Sequence, residues 1–229
     1  MTDDRSTESV DPYCLSEQDA VDLLRPAPWN RFAVMGDSFA AGVGGPCPGY
    51  ADVSWPDRVA GALRGGRPEF AYLNTGEVGV RTRAVRETQL EQVLAFRPDL
   101  VNVATGGNDL FGPEPDLDAV EADLEAVYSA LTAQGAHVFA FTVADIFEAF
   151  PDFADFRILV SGLNDRIRRV AERHDATLVE MWDHPVRHSP TLMSSDGMHF
   201  SMEGHAVLAG EVVRGLAGRR KATVPGASV

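Results

Sequence analysis

Lysine is all but missing from these 229 residues: Lys221 is the only one, and arginine supplies the other side-chain cations. That bias is a habit of composition and carries no chemistry. The overall shortage of positive charge carries more. With 20 basic against 34 acidic residues the formal net charge is −14, which argues against a nucleic-acid partner or an anionic membrane surface. Cysteine is scarce as well. Cys14 and Cys47 are the only two, and their spacing makes neither a disulfide framework nor a metal site, so reduced thiols and a cytoplasmic location are expected. No apolar run approaches the length of a membrane span, which argues against integral membrane association. No apolar stretch follows the polar start Met-Thr-Asp-Asp-Arg-Ser-Thr-Glu, so no secretory signal is expected. No repeat period or low-complexity block is visible.

What is present is a core. Hydrophobic residues make up 45% of the chain, enough for one domain of this length. Five short runs rich in Val, Phe and Leu suit strands buried on both faces: Arg31–Gly36, Phe70–Asn74, Leu100–Thr105, His137–Val143 and Thr177–Trp182. Between them the spacing is helical. Trp55, Val59 and Leu63 recur every four residues, and Leu117, Val120, Leu124, Tyr128 and Leu131 every three or four. Ile158 to Ala171 and Met202 to Leu216 complete the set. Strand and helix alternating in this way predict an α/β fold, a five-stranded parallel sheet with helices on both sides. Residues 1–12 and 218–229 read as disordered tails around a single domain over 13–217.

In such a sheet the active site lies beyond the carboxyl ends of the strands. Three motifs fall there. Phe32-Ala-Val-Met-Gly-Asp-Ser38 delivers a serine into a small-residue turn, Asn74-Thr-Gly-Glu-Val-Gly79 follows the second run, and Gly106-Gly-Asn108-Asp109 follows the third. A fourth, Asp196-Gly-Met-His199, places a carboxylate and an imidazole three residues apart. A serine hydroxyl is a poor nucleophile until a base takes its proton. His199 can do this, with Asp196 holding its tautomer. The oxyanion that forms needs preorganised donors, and the N–H groups of Ser38 and Gly79 with the Asn108 carboxamide suit it.

These four blocks, in this order from about Arg31 to Leu216, resemble those of the SGNH, or GDSL-type, hydrolases, and most of all a cytosolic bacterial branch. No catalytic position departs from the pattern. The resemblance implies a three-layer α/β/α, flavodoxin-like fold. It also implies a Ser38, His199 and Asp196 triad, an oxyanion hole from Ser38, Gly79 and Asn108, and no metal or cofactor. The implied substrate is a small-molecule ester or acyl compound. An acyltransferase or deacylase using the same triad is the nearest alternative, and a non-catalytic binding protein of this fold the next.

Each motif also has a plainer reading. Ser38 can be a helix N-cap after a strand, Asp196 the cap of the next helix, and Asn108 with Asp109 an Asx turn. Asp37 and Asp109 are expected to shape turns, and His205 to be structural. The glycine-rich segment Gly42 to Gly49 lacks the Gly-Lys-Ser/Thr of a phosphate loop and is expected to be a flexible loop containing an ordinary cysteine, Cys47. Pro185 separates His184 from His188, so a metal cluster with Asp183 is not expected. Arg81 and Arg83 are solvated, or meet a negative substrate group. Phe147, Phe150, Phe153 and Phe156 recur every three residues, a helical stripe or the lining of an apolar acyl pocket.

Overall fold

A computed structural model describes residues 5–65, 67–112 and 114–223. In chain order it contains α1 (Glu17–Leu24), β1 (Arg31–Gly36), α2 (Trp55–Arg64), β2 (Ala71–Asn74), α3 (Thr82–Thr88), α4 (Leu90–Phe96) and β3 (Leu100–Ala104). There follow α5 (Leu117–Ala133), β4 (His137–Phe141), α6 (Ala154–Arg173), β5 (Thr177–Val179) and α7 (Met202–Thr223), with short 3-10 turns between. No helix among the described residues is long and apolar enough to cross a membrane.

The described residues of these elements fall into two compact units. One comprises residues 31–43, 71–112 and 114–190, the other 5–30, 44–65, 67–70 and 191–223. The first holds the whole sheet, all five strands parallel in the order β2-β1-β3-β4-β5. Strand order reverses at β1, so the crevice of an open α/β sheet lies beyond the carboxyl ends of β1 and β3. One sheet face carries Ala33, Met35, Val101, Val103, Val138 and Ala140, which pack on the apolar stripes of α3 to α6. On the other face Phe32 is fully buried and stacks on Tyr72 and Phe139, centroids 5.4 and 5.9 Å away. Burial on both faces is what the unbroken Val, Phe and Leu runs require.

All five runs become strands, but three end early, Leu100–Thr105 by the single residue Thr105 and two others by more. His137–Val143 stops at Phe141 because the Asn164 carboxamide takes both backbone groups of Val143, at 2.8 and 2.9 Å. Thr177–Trp182 stops at Val179, beyond which the Thr142 hydroxyl accepts the N–H groups of Met181 and Trp182 at 2.8 and 3.1 Å.

The second unit packs α1, α2 and α7 together. Trp55, Val59 and Leu63 are fully buried, as their spacing predicts. The amino-terminal segment differs from a disordered tail as far as it is described. Glu8 to Val10 form a 3-10 turn, and buried Glu8 pairs with Arg58 at 2.6 Å and accepts the Ala51 N–H at 2.8 Å. A buried carboxylate needs such a partner, and Arg58 fixes the segment. At the other end α7 continues to Thr223. Residues 1–4 and 224–229 of the expected tails lie outside the described residues.

Candidate active site

The expected site residues fall on both units, Ser38, Gly79 and Asn108 on the sheet unit and Asp196 and His199 on the helical one.

On the sheet unit, β1 ends at Gly36, whose φ of +143° and closeness to β3 admit no side chain: a Cβ would stand 1.8 Å from the Ala104 carbonyl oxygen. The chain then turns. Asp37 donates its N–H to Ala104 O at 3.0 Å, and its carboxylate accepts the Phe39 N–H at 2.9 Å. Val43 N–H closes the loop on Ser38 O at 3.0 Å. Asp37 thus shapes the turn, and Ser38 sits almost buried at its start. No helix follows before Trp55, which removes the N-cap reading of Ser38.

The loop after β2 is stitched to this turn. Asn74 Nδ2 donates to Ala40 O at 2.8 Å, and a Cβ on Gly76 would lie 2.3 Å from Ala41 N. Gly79 follows with φ +81° and open space on its Cβ side, a conformation an L-residue adopts only with strain. Beyond β3, Gly106 at φ +116° opens a 3-10 turn over Gly107–Leu110. Within it Asn108 Nδ2 donates to Val80 O at 2.8 Å, fixing the carboxamide against the Gly79 loop. Asp109 accepts the N–H and hydroxyl of Thr82 at 3.0 and 2.8 Å, which caps α3. Its role is structural, as expected.

Two buried carboxamides at the strand ends escape the sequence reading. One is Asn164. The other, Gln89, accepts the Gly36 N–H and donates to Gly36 O, both at 2.8 Å, and accepts the Thr75 hydroxyl at 3.1 Å. The signal was present: Gln89 lies four residues from buried Val85 and four from buried Val93, in phase with an apolar stripe.

On the helical unit, Asp196 and His199 form a self-contained loop. Asp196 Oδ2 meets His199 Nδ1 at 2.7 Å. Its Oδ1 accepts from Ser194 Oγ, Met198 N and His199 N at 2.6, 2.9 and 3.0 Å. The His199 ring first, then these other donors, hold the Asp196 carboxyl well below the usual carboxylate range. With Nδ1 facing a carboxylate, the neutral tautomer carries its proton there. All of these bonds lie within residues 194–199, and α7 starts only at Met202, so Asp196 is no helix cap. His205 is fully buried and its Nδ1 accepts the Trp55 N–H at 3.1 Å, a structural role.

The remaining candidates separate. Arg83 pairs with Glu87 at 2.9 Å along α3, and Arg81 and Arg83 both line a cavity of about 520 Å³ with Asp109, Asp116 and Asp123. Cys47 is buried, and its neighbourhood is tied down rather than loose: Gly49 O accepts from Thr7 and Glu8, and Gly45 bridges to Ser201. His184 Nδ1 accepts the Val186 N–H at 3.2 Å and caps a 3-10 turn. Phe147, Phe150, Phe153 and Phe156 form a connected ring cluster with centroids 5.2–6.4 Å apart, and Phe111, three residues past Asn108, joins it through Phe156 at 5.3 Å. Phe111, Phe150 and Phe153 are each more than half exposed. They line a surface rather than filling a core.

Known proteins of this architecture exist. An acetylxylan esterase from Geobacillus stearothermophilus superposes with a TM-score of 0.66 at 22% identity, over 82% of this chain and 94% of its own. A lipase/acylhydrolase from Enterococcus faecalis gives 0.65 at 23%, over 83% and 96%. An α/β hydrolase from the metagenome of Lake Arreo, Spain gives 0.66 at 21%, over 82% and 94%. At these identities the likeness is one of fold. No protein of curated function matches in sequence. The family assignment rests instead on residues 34–207, which match as one stretch from the middle of β1 into α7. The chain belongs to the GDSL-like lipase/acylhydrolase family, hydrolases of ester bonds.

Proposed function

We propose that this hydrolase cleaves a small-molecule carboxylic ester through an acyl-Ser38 intermediate. Ser38 Oγ attacks the carbonyl carbon while His199 Nε2 takes the hydroxyl proton. Asp196 keeps the ring in the required tautomer and stabilises the imidazolium. The oxyanion receives the N–H groups of Ser38 and Gly79 and the second N–H of the Asn108 carboxamide, whose first is given to Val80 O. His199 returns its proton to the departing alkoxide, which leaves as the alcohol. Water then attacks the acyl-enzyme, giving its proton to His199. The acid leaves and Ser38 regains its hydrogen.

The observation that carries this reading is the 2.7 Å Asp196–His199 pair with three further donors on the same carboxylate. The exposed rings of Phe150 and Phe153, with Phe147 beneath them, are proposed as the wall that meets the acyl chain.

The test is hydrolysis of p-nitrophenyl esters from acetate to palmitate, a range suggested by structural relatives that include an acetylxylan esterase and a lipase/acylhydrolase. Ser38→Ala should lose at least about a thousandfold in kcat; a mutant that retains turnover would remove Ser38 from the mechanism. Phe150→Ala and Phe153→Ala should shift the preferred chain length. If they change only stability, the acyl wall lies elsewhere.

A further inference from the structure

We propose that Gln89 is a positioning residue, one that sets the Ser38 turn and the Gly79 loop in a single frame. The inference rests on the ester-hydrolase reading above. Gln89 is 97% buried, with a relative exposure of 3%, and lies between α3 and α4. Strand β2 stays paired with β1 only as far as Val34 opposite Asn74. Past that point β1 faces the loop after β2, which reaches the Gly36 carbonyl through the Glu77 N–H at 3.1 Å and leaves the Gly36 N–H to a side chain. The Gln89 carboxamide accepts that N–H and gives the carbonyl a second donor, at 2.8 Å each. Its oxygen also receives the Thr75 hydroxyl at 3.1 Å.

Those bonds reach both parts of the sheet-borne machinery. Gly36 is two residues before Ser38, and Thr75 is four before Gly79. The same junction carries Thr75 N–H to Val34 O at 2.9 Å and Glu77 N–H to Gly36 O at 3.1 Å. A displaced Gly36 would therefore shift the nucleophile and an oxyanion donor together. Substrate binding along the ring cluster would be left alone. The expected signature is a loss in kcat without a matching rise in KM.

Gln89→Glu and Gln89→Met keep the side-chain length. The first replaces the donor to Gly36 O by a second acceptor, and the second removes all three bonds. Turnover of p-nitrophenyl butyrate and the rate of Ser38 labelling by a fluorophosphonate are measured well below each variant's own Tm. They are normalised to the fraction of Ser38 that finally labels, so that a loss of folded protein is not read as a loss of rate. Both rates should fall by about 10- to 100-fold with KM within about twofold. Unchanged kcat in a variant whose Tm falls would overturn the proposal and leave Gln89 a stabilising residue. If neither variant folds, Thr75→Val, which removes one bond of the three, must lower kcat by about threefold or more; an unchanged kcat there overturns it too. Wild-type protein whose Ser38 does not label would overturn the hydrolase reading, and this inference with it.

Discussion

Gly36→Ala should be among the most damaging single-methyl changes available to this chain, and its cost can be built from two parts. The first is backbone: at φ +143° an L-residue pays about 1–3 kcal/mol. The second is steric. A Cβ at Gly36 would lie 1.8 Å from Ala104 O, 2.6 Å from Ala104 C and 3.0 Å from Ala40 Cβ. The carbonyl is backbone, held by the Asp37 N–H at 3.0 Å, so it cannot rotate away as a side chain would. Separating β1 from β3 enough to admit the methyl group adds about 1–3 kcal/mol. The sum, about 2–6 kcal/mol, is a large share of the roughly 5–15 kcal/mol that holds a typical protein folded. At this chain length it corresponds to a Tm lower by about 5–20 °C. Guanidinium unfolding should show the midpoint falling with little change in slope. Gly61→Ala is the matched control. Gly61 lies inside α2 with no atom within 4 Å of its Cβ position, so there the methyl should stabilise by about 0.5–1 kcal/mol. A Gly36→Ala protein within about 0.5 kcal/mol of wild type would refute the close approach of β1 to β3.

Three further outcomes are expected. Asn108→Ala should lower kcat by about 10²–10³, read with the same ester series, while an unchanged kcat would remove the carboxamide from the oxyanion hole. Asp196→Asn replaces an acceptor facing His199 Nδ1 by an amide that can favour the wrong tautomer, and kcat/KM should drop by about 10²–10⁴ without a change in Tm comparable to that of Gly36→Ala. On the α5–α6 face, Arg169 first and then Arg173 hold the Glu121 carboxyl down to about 2 from its ordinary 4.5. Its folded value is depressed, so its contribution to stability is full above about pH 4.5 and fades as pH falls toward about 2. Because the arginines are half-exposed, Glu121→Gln should lower Tm by only about 2–4 °C at pH 7. That gap should close as the pH is lowered, and a gap constant with pH would exclude the ion pairs as its source.

The five strands are legible because their apolar runs are contiguous in sequence, as burial on both faces demands of β1, β3 and β4 along most of their length. Their ends are less so. What stops β4 is Asn164, 21 residues beyond Val143, and what stops β5 is Thr142, 39 residues before Met181. A strand end set by a distant side chain leaves no mark in its own run. The same holds for Glu8, whose neighbours in sequence are polar and whose burial depends on Arg58. Asp196 and His199 are legible for the opposite reason: the donors to that carboxylate come from Ser194, Met198 and His199, within one short loop. Phe111 is not legible, because only the folded chain brings it to Phe156 across 45 residues.

That contrast between local and distant determinants divides the chemistry itself. The proposed acid and base, Asp196 and His199, need little beyond their own loop. Gly197 at φ +66° turns it, Ser194 N–H closes it on His199 O at 2.8 Å, and the half-exposed carboxylate is stabilised by hydrogen bonds rather than by a buried cation. The proposed nucleophile and oxyanion donors have no such local frame. Ser38, Gly79 and Asn108 lie on three loops separated by 41 and 29 residues, and only the sheet aligns them. The bonds from Asn74 to Ala40, Asn108 to Val80, Asp37 to Ala104 and Gln89 to Gly36 that tie those loops each begin or end on backbone. Side chains there can vary in chemistry only if they keep a donor or acceptor at the same place. The tolerance of this half to substitution should accordingly follow hydrogen-bond geometry, whereas that of the acid–base loop should follow backbone conformation.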